Sequence, residues 1–137
     1  MQKNDPLNDL ISKAKACYMS NAKWRKLFYA SEQFNVVIGG VRWRLIKSDH
    51  TFENDLNVLS AVEGDRFADC LPSPCLPLKY IDNIFIPAVY PNPKSDKKRH
   101  LPMLKNDLSC FKAHLNCYGK FPIFEHADGI EIRAYEW

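Results

Sequence analysis

The chain has 137 residues and a formal net charge of +3, with 46% hydrophobic and 26% charged residues. This composition is that of an ordinary globular domain, and it excludes a disordered chain of low hydrophobicity and high charge. Apolar runs such as 36–38 and 84–86 are far shorter than the roughly 20 residues of a membrane-spanning helix. The charged first residues lack the apolar segment of a secretory signal, so we expect a cytoplasmic protein whose five cysteines are reduced.

The first part of the chain predicts two helices. Apolar residues recur at helical spacing from Leu7 to Cys17 or Tyr18, with Asp5 as a candidate cap and Pro6 in the first turn. Ser20 or Asn21 is the candidate cap of a second helix. Its apolar face comprises Trp24, Leu27, Phe28 and Ser31.

The middle of the chain favours strands. Val41, Trp43 and Leu45 alternate with Arg42 and Arg44, which predicts a half-buried strand over residues 41–47. The acidic residues 48–69 predict turns and one short strand near 57–62, and the three prolines of 71–77 predict an extended connector. β-branched and aromatic residues predict a further strand over 80–87.

The last part predicts an exposed loop at 91–100, a third helix and a hairpin. Asp107 can cap the helix, whose apolar face comprises Leu108, Phe111, Leu115 and Tyr118. A turn at 126–129 precedes an alternating strand near 130–136. We therefore predict one α+β domain over residues 1–137, with a mixed or antiparallel sheet packed against about three helices. The residues expected in its core include Trp24, Trp43, Phe111 and Leu115.

The third helix contains the best candidate metal ligands. Cys110, His114 and Cys117 lie at i, i+4 and i+7 and therefore share a face, and both residue types bind zinc. Structural zinc sites usually use paired cysteines, however, and these residues flank an apolar face where cysteine acts as a small hydrophobe. We predict that the chain binds no metal and no cofactor. The sequence does not decide whether Cys110, His114 and Cys117 ever bind zinc.

No serine, cysteine or histidine is surrounded by the sequence signature of a known catalytic family. The glycine-rich phosphate-binding motifs GxxxxGK(S/T) and GxGxxG are also absent. The chain is therefore not expected to be an enzyme. An RNA-binding or RNA-cleaving protein is the alternative, because Arg42 and Arg44 could contact phosphates and His100 follows the basic run 97–99. A small-molecule enzyme of unknown type is a weaker third possibility.

Three short motifs resemble a family of small, functionally uncharacterised bacterial proteins. They are Asn21-x-Lys23-Trp24-Arg25, the strand from Tyr80 to Pro87, and a closing segment with Phe121-Pro122-Ile123 and residues 128–135. Some such proteins look like immunity proteins of contact-dependent growth inhibition systems. The resemblance implies a cytosolic protein that binds and neutralises a toxin domain. From the residues themselves we expect no membrane partner and no small-molecule cofactor, and a protein is favoured over nucleic acid as the partner.

Charge segregation suggests where a toxin would bind. Residues 48–93 contain two Lys/Arg and seven Asp/Glu, whereas the segments before and after them are basic. A nuclease toxin needs a basic active site for phosphates, and an inhibitor can occupy that site with carboxylates. The predicted partner-binding residues are Asp49, Glu53, Asp55, Glu63, Asp65 and Asp69. The alternative is that these carboxylates form a solvated loop surface.

Overall fold

The computed structural model describes residues 6–34, 36–46, 51–54, 62–63, 66–67 and 78–137, with backbone alone for 6–8 and for the three segments between 51 and 67. The described helices are α1 (Pro6–Ser12), α2 (Asn21–Gln33) and α3 (Leu108–Asn116). The described strands are β1 (Ala16–Cys17), β2 (Val41–Leu45), β3 (Thr51–Asn54), β4 (Val62–Glu63), β5 (Arg66–Phe67), β6 (Ile81–Pro87), β7 (Val89–Tyr90), β8 (Leu104–Lys105), β9 (Ile123–His126), β10 (Gly129–Arg133) and β11 (Tyr135–Glu136).

The α+β prediction is confirmed by a five-stranded antiparallel sheet in the order β3-β2-β6-β10-β9. Trp43 of β2 is opposite Ile84 of β6, and Ile84 is opposite Ile132 of β10, so the alternating apolar residues share one face. The predicted strand near 130–136 is divided at Ala134, whose N–H donates to the carbonyl of Asp82.

The second and third helices begin at the caps that the sequence indicates. The Ser20 hydroxyl accepts from the Lys23 N–H at 3.1 Å, and an Asp107 carboxylate oxygen accepts from the Cys110 N–H at 3.1 Å. These side chains satisfy N–H groups that the first turn of a helix leaves without partners.

The prediction that the first helical pattern continues to Cys17 or Tyr18 is wrong. Helix α1 ends at Ser12, and Ala16–Cys17 forms β1, which pairs antiparallel with β11. The Lys15 N–H donates to the Glu136 carbonyl at 2.6 Å, and the Tyr18 N–H donates to the Ala134 carbonyl at 2.7 Å. This non-local pairing satisfies the backbone groups that a longer helix would have paired locally. Asp5 lies outside the described residues.

The core lies between the apolar sheet face and helices α2 and α3. Phe28 of α2 stacks between Trp24 and Trp43, with ring centroids 5.8 and 5.5 Å apart. Trp24 is 1% exposed, and Trp43, Phe111 and Leu115 are fully buried, which confirms the predicted core residues. Stacked aromatic rings add to the stabilisation from their burial and fix α2 over β2.

A buried asparagine holds the end of the sheet together. Asn106 follows β8 and is 7% exposed. Its side-chain amide accepts from the Gly39 N–H at 3.0 Å and donates to the carbonyls of Gly39 and Pro87 at 2.9 and 2.7 Å. Gly39 lies against the ring of Tyr90, which would have to move if residue 39 carried a side chain. The two-stranded ribbon β7-β8 is thereby attached to the chain that enters β2.

Two sequence predictions fall largely outside the described residues. The first is the extended connector predicted at 71–77. The second is the short strand predicted near 57–62, of which residues 57–61 are not described. Val62 lies in β4, which pairs with β5. In the part of the chain that the structure describes, no helix has the length and apolarity that a bilayer crossing requires.

Candidate functional site: an arginine-rich sheet face

The sheet face opposite the helices carries a connected group of charged and aromatic side chains. On a strand, side chains that alternate with the core residues point to the other face of the sheet. The registers of β2, β6, β10 and β9 place eight side chains there: Arg42, Arg44, Asn83, Phe85, Phe124, His126, Glu131 and Arg133. We call this set the arginine face.

Two neighbouring strands supply its first half. The guanidinium carbon of Arg42 lies 4.9 Å from the ring centroid of Phe85, in a cation–π contact between β2 and β6. Arg44 is two residues further along the same strand and is also exposed. Among the described residues, no carboxylate pairs with either arginine. A guanidinium group carries five N–H donors and no acceptor.

Glu131 organises the second half of the face. One of its carboxylate oxygens lies 3.0 Å from Nη2 of Arg133 and 2.9 Å from Nε2 of His126, and its side chain is only 13% exposed. Burial opposes ionisation of this carboxyl, but the hydrogen bonds from Arg133 and His126 outweigh it and lower the pKa of Glu131. The hydrogen bond to Glu131 also raises the pKa of Arg133. The pair is therefore ionised over the physiological pH range.

Arg133 is fixed from a second side by an aromatic ring. Its guanidinium carbon lies 3.9 Å from the ring centroid of Phe124, which Tyr18 contacts at a centroid distance of 5.9 Å. The Tyr18 hydroxyl donates to Glu136 at 2.6 Å, and this hydrogen bond raises the pKa of Tyr18. Arg133 is thus held in place by Glu131 on one side and Phe124 on the other.

A shallow groove of about 310 Å³ lies at one end of the face. Its lining residues are Arg44, Asp82, Asn83, Glu131, Arg133, Tyr135, Glu136 and Trp137. The Trp137 indole N–H donates to Asp82 at 3.0 Å, and the Tyr135 hydroxyl donates to the Lys79 carbonyl at 2.6 Å. Burial raises the pKa of Tyr135 to about 12, so its hydroxyl is a structural donor. Acidic and basic side chains both line the groove.

The structure describes little of the predicted acidic surface. Asp49, Asp55, Asp65 and Asp69 lie outside the described residues. Glu53 lies in β3, where its Cα partner is Arg42, and Glu63 lies in β4, with Arg66 as its Cα partner. For these two residues the backbone alone is described. The acidic surface stays a prediction.

The three candidate zinc ligands on and beside α3 are engaged separately. Nε2 of His114 lies 2.7 Å from the carbonyl oxygen of Ala30, which can only accept, so this nitrogen carries a hydrogen. Cys110 and Cys117 are exposed thiols, and Cys117 donates to the carbonyl of Ala113. Within the described ranges, no group of three metal-binding side chains comes together.

The sequence identified Arg42 and Arg44 as possible binding residues but did not select Phe85, Phe124, Glu131 or Arg133. His126 was interpreted as a turn residue, whereas it is the last residue of β9 and contacts Glu131. The available signal was the alternation along β10, which separates Glu131 and Arg133 from the buried Ile130 and Ile132. Their contacts depend on cross-strand register, which one strand alone does not specify.

Comparison of the chain with protein-family models, with curated proteins and with solved structures gives no significant match. The chemistry of the arginine face is therefore the main guide to its role.

Proposed function

We propose that the chain is a cytosolic immunity protein that binds and neutralises a toxin domain of a contact-dependent inhibition system, with a nuclease as the expected toxin class. The observation that carries this proposal is the exposed pair Arg42 and Arg44 on a sheet face that the helices leave uncovered. The sequence resemblance supplies the toxin as partner. The motif residues Trp24, Ile84 and Ile86 are buried, so the resemblance concerns the scaffold.

The residue types favour a protein partner. Arginine and aromatic residues are enriched at protein interfaces and dominate their binding energy. Arg42 is already stacked on Phe85, so it loses less conformational freedom on binding than a mobile side chain would. A guanidinium stacked on a ring still directs N–H donors outward, where they can bind a carboxylate with two hydrogen bonds.

The charge of the face predicts the chemistry of the partner surface. Among the described side chains of the face, Arg42, Arg44 and Arg133 contribute +3 and Glu131 contributes −1, which gives +2 with His126 neutral. A toxin surface that binds here should therefore present Asp or Glu side chains. The competing hypothesis is that the toxin binds the six predicted carboxylates within residues 49–69. In that case the toxin surface would be a basic active site.

The test starts from the neighbouring genes: a toxin domain encoded there is coexpressed with the chain, and growth and the dissociation constant are measured. Arg42→Gln/Arg44→Gln should weaken binding by about 2 to 5 kcal/mol if the two charges are desolvated in the complex. Lys13→Gln/Lys26→Gln removes the same charge from two other exposed positions and is the matched control. If the wild-type chain neither binds nor protects, the immunity proposal is wrong. If both double variants bind like the wild type, the arginine face is not the binding surface.

RNA binding or cleavage is the second candidate, and one contact favours it. His126, Glu131 and Arg133 place an imidazole, a carboxylate and a guanidinium together, which are groups that transfer protons and bind phosphate. One observation argues against stacking of RNA bases on this face. The rings of Phe85 and Phe124 are already covered by guanidinium groups. Salt-sensitive tRNA binding, or cleavage abolished by Glu131→Gln, would favour this candidate over the toxin inhibitor.

A further inference from the structure

The loop between β7 and β8 presents a compact group of positive charges. Lys94, Lys97, Lys98 and Arg99 are exposed, and Asp96 is the one carboxylate among residues 94–100. An Asp96 oxygen accepts from the backbone N–H groups of Lys98 and Arg99 at 2.9 and 2.7 Å. Ser95 adds hydrogen bonds with Arg99 and Leu101, which close the loop on itself. The basic side chains therefore extend from a structured backbone.

Two exposed aliphatic side chains follow these charges in the chain, and two more precede the segment that Tyr90 contacts. Val36, Val37, Met103 and Leu104 are 52%, 49%, 53% and 36% exposed, and they are four of the seven large hydrophobic residues with exposed positions in the described chain. Tyr90 connects them, because it is opposite Leu104 in the ribbon and contacts Gly39 and Gly40, just after residues 36–37. We call the four basic and four aliphatic residues the basic–aliphatic edge.

The composition of this edge differs from that of the arginine face. Three of its four cations are lysines, which are depleted in protein interfaces, and its exposed apolar residues are aliphatic. A nucleic-acid backbone would use the charges but not the aliphatic side chains. An anionic bilayer uses both, because its head groups attract lysine and its acyl boundary accepts apolar side chains.

We propose that the basic–aliphatic edge binds the surface of an anionic lipid bilayer, with Lys97 and Lys98 at the head groups and Met103 and Leu104 inserted below them. A peripheral contact needs no membrane-spanning helix, and it replaces the expectation from the sequence that the chain has no membrane partner. The contact goes beyond toxin binding and uses different residues.

The experiment is cosedimentation of the full chain with vesicles of phosphatidylcholine alone and of phosphatidylcholine mixed with phosphatidylglycerol. The wild type should bind only the mixed vesicles. Lys97→Gln/Lys98→Gln should lower the partition coefficient roughly 30-fold, because each lysine near an anionic surface contributes about a factor of five. Met103→Ser/Leu104→Ser should lower it about tenfold or more through lost apolar burial. Lys13→Gln/Lys26→Gln should bind like the wild type.

Thermal midpoints that match the wild type show that the variants are folded, and intrinsic tryptophan emission gives an independent check. Equal binding to both vesicle types, or none to either, would overturn the proposal. It would also be overturned if the control lowers binding as much as the two edge variants do. The edge would instead be a nucleic-acid site if the chain does not bind vesicles but binds single-stranded RNA. In that case Lys97→Gln/Lys98→Gln should weaken RNA binding, and Met103→Ser/Leu104→Ser should leave it unchanged.

Discussion

The side chain of Asn106 pairs with both backbone groups of Gly39, from which it is separated by 67 positions in the chain. The arrangement has the donor and acceptor pattern of a bridge between two strands, although one partner is a side-chain amide. A third hydrogen bond to the Pro87 carbonyl fixes the end of β6 in the same cluster. One buried amide therefore connects three segments of the fold.

Asn106→Ala should lower the free energy of unfolding by about 2 to 4 kcal/mol, because it leaves buried backbone groups of Gly39 and Pro87 without partners. Urea denaturation measures this change. Asn116→Ala, at the exposed end of α3, is the matched control and should cost less than about 1 kcal/mol. A loss below about 0.5 kcal/mol for Asn106→Ala would show that water replaces the amide.

Glu131 should make the stability of the domain depend on pH. Its pKa is lower in the folded chain than the ordinary carboxyl value of 4.5, so its stabilising contribution is present above that value. The contribution is lost as the pH falls through the lowered pKa. The difference in unfolding free energy between wild type and Glu131→Gln should therefore be largest near neutral pH and shrink in acid. Glu32→Gln, at an exposed position of α2, is the control. A difference that stays constant with pH would contradict the assignment.

The six predicted carboxylates can be tested against the arginine face. Asp49, Glu53, Asp55, Glu63, Asp65 and Asp69 are changed in pairs to Asn or Gln, and toxin binding is measured over a salt series. If this segment binds a basic nuclease site, at least one pair should weaken binding and flatten its salt dependence. If every pair leaves affinity and salt slope unchanged while Arg42→Gln/Arg44→Gln abolishes binding, the acidic segment is not the interface.

Chelation should leave the thermal midpoint of the domain unchanged. Ligand binding by a structural zinc ion contributes folding free energy directly, so its removal would lower the midpoint sharply. His114→Ala should destabilise the protein equally with and without chelator, because it removes the hydrogen bond to the Ala30 carbonyl and the ring contacts with Phe34 and Tyr118, none of which involves a metal. A stoichiometric zinc content, together with a chelator effect that Cys110→Ser removes, would contradict this prediction.

The features that the sequence predicts well are those set by local spacing. Alternation assigned Trp43 to the core and Arg42 to the opposite face, and both positions are confirmed. The caps at Ser20 and Asp107 follow from the short side chains that precede each apolar helix pattern. The turn before Gly129 is likewise a local signal, since His126 and Gly129 face each other across it.

The features that the sequence did not predict depend on contacts between distant residues. The apolar spacing around Cys17 fits a helix, and only the presence of Tyr135 opposite it makes this segment a strand. Similarly, the sequence does not show which charged residue Glu131 contacts. The register between β9 and β10 determines that His126 lies beside it. Local propensity does not contain this information, so the sequence predicts only the Arg42 and Arg44 part of the arginine face.

The pairing of β1 with β11 has a consequence for synthesis of the protein on the ribosome. Tyr18 and Glu136, whose side chains are hydrogen-bonded beside this pair, are separated by 118 positions. Strand β10, which lies between β6 and β9 in the sheet, is also one of the last elements of the chain. The β1 segment cannot reach its final partner until residue 136 has left the exit tunnel, and the five-stranded sheet is complete only after β10 has left it. Folding of the domain is therefore completed only after these late segments have emerged, because it depends on contacts between distant residues.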